Sequence, residues 1–446
     1  MKAFSFQRKH VIGAACVATV MLFAAIAGCA PEQAPQTDAA PAEATDATAE
    51  GTMAGYAEMF PLQYASLQQE RTDENGIVKG HSIGQLRDIC EAPLARDQNG
   101  DVLLGENGTV TASGYAYDEE LGMYVLPEQT DEQLKETGLY SGCVACKSSK
   151  FNDIYAQQGA SAFGSVYNKQ AREIVNGEYF DCAMCHDGMP SADNLKANLV
   201  YFNALGDDFA ANLVPKLAVC AQCHNSYDYR SRITTEADLE NFRPYRYGTD
   251  LESVFKASYE DGVNFAKDEE TGISTSYMVH PIIEIFQTSP MANLGVTCVD
   301  CHMPKTTDAE SGTTYTNHFA ANNPLENEDS LEYCLTCHKN QGIETTADMK
   351  AYAEQKADEL ARGYEELTAQ AETFKAALEE AIKTKSKDEA TLDKARELYA
   401  KASWYDHCIN TQPSVISVGH MASMVDGSAL VEAGEKACSE GMALIA

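Results

Sequence analysis

Five short runs place two cysteines three positions apart with a basic side chain directly after the second. They are CVACK at Cys143 to Lys147, CAMCH at Cys182 to His186, CAQCH at Cys220 to His224, CVDCH at Cys298 to His302 and CLTCH at Cys334 to His338. Thiols at that spacing sit one turn apart on a local helix. From there they can form thioethers with the two vinyl groups on one edge of a porphyrin, and the next residue lies beneath the iron as an axial ligand. A single CxxCH also fits zinc or a redox dithiol, but four in one exported chain do not, and disulfide pairing leaves the adjacent histidine without a role. The cofactor read from these runs is covalently bound haem c, five copies in all, held by Cys143, Cys146, Cys182, Cys185, Cys220, Cys223, Cys298, Cys301, Cys334 and Cys337.

CVACK differs from the others only in Lys147. A lysine amine binds iron only when neutral, and free lysine has a pKa of about 10.4, so the metal must displace a proton. An aliphatic amine is a pure σ donor, suited to an iron whose opposite face is left open to a substrate. This lysine motif ahead of four CxxCH motifs resembles the ammonia-forming pentahaem cytochrome c nitrite reductases, from about Gly80 to His420. The resemblance implies six-electron reduction of nitrite to ammonium at the Lys147 haem, fed by the other four. It also implies a homodimer and a membrane quinol-oxidising multihaem cytochrome as electron donor.

Ten histidines are present. His10 leaves with the leader, and His186, His224, His302 and His338 are the motif ligands. His81, His280, His318, His407 and His420 remain, which suits four distal ligands and one uncoordinated pocket histidine. By the resemblance, His81 is the distal ligand of the third haem, His318 of the second and His420 of the fourth, while His280 and Tyr227 are pocket groups that supply or relay protons. A pocket arginine is assigned to Arg96, with Arg87 as the alternative, to hold the nitrite anion. The family's distal histidine of the fifth haem lies 11 residues after the pocket histidine and 7 before the next haem cysteine, and both counts fall on Met291. His338/Met291 ligation is therefore expected there, with His407 as the alternative ligand.

The family's calcium site departs from pattern. Ser226 stands where an acid is expected and Val279 where an amide is expected, so calcium is not expected at this site. Arg230 or Arg232 could place a guanidinium there instead.

The elements that must hold these residues follow from periodicity. Leu360, Tyr364, Leu367, Ala371, Phe374 and Leu378 alternate by four and three, a heptad seam on a long helix from about Ala347 to Lys383. A second helix is expected from about Glu389 to Cys408. A seam of this kind is usually an internal core stripe, but a helix this long in a chain that resembles a family of homodimers reads better as part of the subunit interface. The expected fold is a mainly α multihaem cytochrome c with a haem-packed core, loops and short helices between motifs, and long C-terminal helices. The pentahaem catalytic region spans 56–345, and the long-helix region, carrying the dimer interface and a distal ligand, spans 346–446.

Residues 1–29 read as a lipoprotein leader. Lys2, Arg8 and Lys9 precede an apolar run from Val11 to Ala27, and Ile26-Ala27-Gly28-Cys29 is a lipobox with Cys29 as the acylated residue. Residues 30–55, rich in Ala, Pro, Thr and acids, form a disordered tether. The protein is expected outside the cell, held to the outer face of the cytoplasmic membrane through its lipid only. Cys90, Cys408 and Cys438 have no assigned role, and Cys16 leaves with the leader.

The chain of 446 residues is 44% hydrophobic and 22% charged, enough to fold, and its 67 acids against 33 bases give a net charge of −34. That charge argues against nucleic acid as a partner. Two other functions fit the same cofactors: a non-catalytic electron-transfer lipoprotein, or a reductase of hydroxylamine, sulfite or another small oxyanion. The set Lys147, Tyr227 and His280 favours nitrite reduction, because an electron carrier has no need of it.

Overall fold

The computed structural model describes residues 51–72, 78–83, 116–118, 123–125, 140–203, 209, 212–226, 233–277, 281–409 and 427–446. The fold is mainly α-helical, as expected. The five attachment motifs lie on short turns of helix joined by loops, and three long helices close the chain.

The first of those three is the helix Thr346–Thr384, 39 residues long, or about 58 Å at 1.5 Å per residue. Thr345 and Asp348 cap each other's backbone at its start, and Lys385 stops it in the left-handed conformation. The helix Glu389–Ile409 returns, and Ser428–Ile445 runs alongside again.

Glycines at a seven-residue spacing explain the packing. A Cβ on Gly434 would meet Leu367 at 2.7 Å, a Cβ on Gly427 would meet Leu360, and one on Gly441 would meet Phe374. The two partner sets rise together along the chain, so the first and last helices run parallel. Leu360, Leu367, Ala371, Phe374 and Leu378 are all buried by this arrangement. The seam read as part of a subunit interface is therefore covered by the chain's own last helix. The reason is that three glycines let the two helices approach closely enough for the large side chains to fill the groove.

Four two-stranded antiparallel hairpins complete the secondary structure among the described residues. Two of them repeat one design. Phe265–Lys267 pairs with Ser274–Ser276, and Lys305–Thr307 pairs with Thr314–Thr316. In the first turn Asp268 accepts hydrogen bonds from the amides of Glu270 and Thr271; in the second Asp308 accepts from the amide of Ser311. Gly272 and Gly312 then take positive φ to reverse the chain. The second hairpin leads within two residues to His318. The first leads within four to His280.

The long helices brace the first hairpin. The Ser276 amide donates to Ser403 Oγ at 3.0 Å, and Arg396 Nε donates to the Thr271 carbonyl at 2.9 Å. Beneath it Trp404, the chain's single tryptophan, is fully buried and stacks on Phe265 with centroids 5.6 Å apart.

At the other end, the helix Met53–Met59 begins on an N-cap at Thr52. Residues 53–55 therefore belong to the folded body, where the Met53 amide donates to Glu178 Oε2 at 3.0 Å. The stretch read as a tether to residue 55 is therefore helical over residues 53–55, with Thr52 supplying the N-cap.

Candidate haem sites and pocket

Each motif is built on a helical turn that sets its two thiols on one side. Cys143 lies on the turn Ser141–Val144, Cys182 on Cys182–Met184, Cys220 on the helix Pro215–Ala221, Cys298 and Cys301 on Cys298–His302, and Cys334 and Cys337 on Glu328–His338. None of the ten thiols is in a disulfide and all are half-buried, whereas Cys408 and Cys438, also outside any disulfide, are fully buried. No three Cys, His, Asp or Glu side chains among the described residues converge as a metal cage. The motif thiols come in pairs at the spacing that attachment along a porphyrin edge requires.

The motifs touch one another in a fixed order. Cys223 Sγ lies 3.3 Å from the Cys146 carbonyl, which joins the third motif to the first. The middle residue of the third motif, Gln222, is buried and donates to the Met184 carbonyl at 2.8 Å, which joins it to the second. Lys216, on the helix that carries Cys220, pairs with Asp300 of the fourth motif at 3.7 Å, which joins the third motif to the fourth. Ser330, on the helix that carries the fifth motif, donates to the Cys301 carbonyl at 2.9 Å. The contacts run first–third–fourth–fifth, with the second attached at the third.

Burial disfavours the thiolate at several of these cysteines. It pushes Cys182, Cys185 and Cys301 up to about 12, helped by Asp181 in the first two and by Cys334 and Asp300 in the last.

The histidines divide by their surroundings. His81, at the end of the hairpin Glu70–Thr72/Val78–Gly80, is half-buried, and its ring lies 6.2 Å from that of His224. Imidazoles on opposite faces of one iron, each nitrogen about 2 Å from the metal, have centroids roughly 6 Å apart, so this spacing accommodates one iron. Burial, then the charge of His302, pulls His81 down to about 4, which keeps the ring neutral as a metal ligand requires. Its Nδ1 has no hydrogen-bond partner among the described residues.

His186 Nδ1 is 3.1 Å from both the Ser191 carbonyl and Asn194 Oδ1, and His318 Nδ1 is 2.8 Å from the Thr316 carbonyl. Each of those nitrogens faces acceptors and so carries the ring proton, which makes Nε2 the basic nitrogen. The His318 amide is itself held by Ser66 Oγ at 2.8 Å. Burial lowers His302, which lies beside Asn322 and Ala320. The His338 ring is 5.7 Å from Tyr352.

Lys147 Nζ donates to the carbonyl of Cys143 at 2.7 Å, so the amine is turned back under its own motif. Its own carbonyl accepts from the amide of Phe180 at 2.7 Å, and the Phe180 ring stacks on His81 at 4.3 Å. Phe180 has a φ of 47°, strained for a bulky residue.

Met291 lies on the turn Pro290–Asn293, half-buried against the main core, where Cys298 also packs. Cys334 of the fifth motif packs in a separate cluster with Leu331, Leu335 and Met349. His407, in the last turn of Glu389–Ile409, is half-buried and lowered by burial. Tyr227, His280, Arg96, Arg87, His420, Val279, Arg230, Arg232, Cys29 and Cys90 lie outside the described residues.

Two residues close in sequence to Tyr227 and His280 are described. Ser226, before Tyr227, is buried, and its amide donates to Glu284 Oε1 at 2.8 Å. Glu284 lies on the helix Ile282–Phe286, which follows His280 and Pro281. It is fully buried, and Tyr245 also donates to its Oε1, at 2.7 Å. A carboxylate therefore does reach Ser226, from a distant segment. The sequence reading missed Glu284, although a lone acid within Ile282-Ile283-Glu284-Ile285-Phe286 is itself a signal. Phe180 and Gln222 were also missed, and nothing in their sequence context marks them.

Residues 53–420 match the cytochrome c552 family. The chain belongs to that family. A cytochrome c-552 from Aliarcobacter butzleri (strain RM4018) is 32% identical over 278 residues, covering 54% of this chain and 52% of the relative, so the match spans about half of that protein's length. The fold is similar to that of the cytochrome c nitrite reductase from Desulfovibrio desulfuricans ATCC 27774, with a TM-score of 0.55 at 17% identity over 90% of this chain and 87% of that one. The structure of that protein has two calcium sites.

Proposed function

We propose that this member of the cytochrome c552 family reduces nitrite to ammonium with six electrons, at a haem ligated by Lys147 and fed by four further haems. The observation that carries this reading is the contact order of the motifs. The lysine motif stands at one end of a continuous line that runs through the third and fourth motifs to the fifth.

Bound haem would supply the redox-active iron at which nitrite is reduced. The chain's own residues would do the rest. The ten motif cysteines would hold the haems by thioethers, and Lys147 would hold the iron of its own motif through its amine. His186, His224, His302, His338, His81, His318, His420 and Met291 would be ligands to the other irons; the 6.2 Å spacing of His81 and His224 supports the pair assigned to the third haem. Tyr227 and His280 would deliver protons to departing oxygen, and Arg96 would hold the anion. With Ser226 and Val279 at the family's calcium position, no calcium is needed there.

Cys29 would carry the lipid that holds the protein to the outer face of the cytoplasmic membrane. Electrons would come from a membrane quinol-oxidising multihaem cytochrome. A homodimer would have to use a face other than the Leu360 to Leu378 seam.

Replacing Lys147 tests the assignment of the open iron. Lys147→His is expected to keep five haems, since no cysteine changes, while altering the spectrum and lowering turnover. Unchanged spectrum and full activity would remove Lys147 as the ligand.

A further inference from the structure

We propose that Glu284 is a positioning residue for the nitrite pocket that holds a transferable proton on Oε2. This deepens the functional reading above and rests on it.

Three observations lead there. Glu284 ties together the two segments that bear the pocket groups. Its Oε1 holds the amide of Ser226, which is bonded to Tyr227, while the next residue back, Ile283, donates its amide to the His224 carbonyl at 3.1 Å. The helix carrying both starts directly after His280 and Pro281. A double strap thus fixes the segment before Tyr227 against the segment after His280.

The second observation is an imbalance between the two carboxyl oxygens. Oε1 accepts from Ser226 and Tyr245, but Oε2 is buried with no hydrogen-bond partner among the described residues. A bare anionic oxygen in that position is costly, and a protonated one is not. With Oε1 acting as the acceptor, the proton belongs on Oε2.

The third is chemical need. Nitrite reduction consumes eight protons with its six electrons, giving ammonium and two waters. A fully buried acid that keeps its proton at neutral pH can release it towards the pocket and recover one from solvent, with no electron moved and no bond other than O–H broken. Burial, opposed by the hydrogen bonds from Ser226 and Tyr245, raises Glu284 to about 7, which suits that exchange. Among the described residues, the titratable groups that face it from neighbouring elements are the Tyr245 hydroxyl and the Cys408 thiol. Burial raises Cys408 well above its ordinary value, so that thiol stays neutral through this range.

The test uses the full-length holoenzyme. Glu284→Gln keeps the size and the Oε1 acceptor and removes the exchangeable proton. The expected result is five haems retained, KM for nitrite little changed, and kcat reduced on the order of tenfold or more. In the parent protein kcat is expected to fall as pH rises through about 7, and this limb should vanish in the variant. Infrared spectra of the parent should show a protonated-carboxyl band at pH 6 that titrates away above 7 and is missing from Glu284→Gln. Wild-type kcat with an unchanged pH profile in the variant overturns the proposal, and so does absence of the band at pH 6. If the variant does not fold, the band in the parent protein decides alone. If the parent protein makes no ammonium, the functional reading fails, and the band still decides whether Oε2 holds the proton.

Discussion

Phe180 links two candidate ligands that are far apart in sequence: its amide holds the Lys147 carbonyl and its ring stacks on His81. A φ of 47° in a bulky residue costs on the order of 1–3 kcal/mol. Motif spacing shows which residues bind a cofactor, because thioether chemistry fixes it along the chain. It does not show what orients them, because that depends on contacts such as Phe180 with His81, a hundred residues apart. Met291 and His407 are still alternatives for the fifth haem, and substitution separates them. Met291→Ala is expected to abolish a sulfur-to-iron charge-transfer band at the red end of the ferric spectrum and to lower that haem's potential, since soft sulfur favours ferrous iron. An unchanged spectrum in that variant, with a change in His407→Ala, would reassign the ligand.

The long helices were legible in the sequence almost to the residue: periodicity predicts about Ala347 to Lys383 and the helix spans Thr346–Thr384. The partner of the seam was not. A heptad stripe shows that a face is buried but not by what, and the answer lay in Gly427, Gly434 and Gly441, whose spacing matters only once the last helix lies alongside the first. The hairpins were also unforeseen, since three-residue strands leave little alternation to read. Packing at the glycines leads to a prediction of sign. Alanine in a helix interior is favoured over glycine by up to about 1 kcal/mol. At Gly441 the added methyl would strike the fully buried ring of Phe374, and overpacking typically costs about 1–3 kcal/mol. The clash should win, so Gly441→Ala should lower the apparent Tm, while Ser439→Ala at an exposed site on the same helix should not. The element that carries Glu284 should show itself in pH-dependent stability. An acid raised from 4.5 to about 7 by burial binds a proton in the folded state that the unfolded state has already lost. Stability is then lost as pH climbs from about 4.5 to 7, by on the order of 3 kcal/mol, and Glu284→Gln should flatten that slope in thermal scans at a series of pH values.

At the scale of the whole molecule, the C-terminal helices brace the hairpin that leads to His280, and the motifs form a branched line with the lysine motif at one end. Ser226 and Val279 at the family's calcium position predict that activity survives chelation and gains nothing from added calcium; stoichiometric calcium beside Ser226 in an elemental or anomalous-scattering measurement would contradict this. The central claim is that electrons gathered by five haems take nitrite all the way to ammonium, and a steady-state assay with a reduced viologen donor measures it directly. One ammonium per nitrite, with six electrons drawn from the donor and no accumulation of nitric oxide or hydroxylamine, is the expected result. Reduced haems that reoxidise without consuming nitrite, or nitrite consumption that stops short of ammonium, would contradict it.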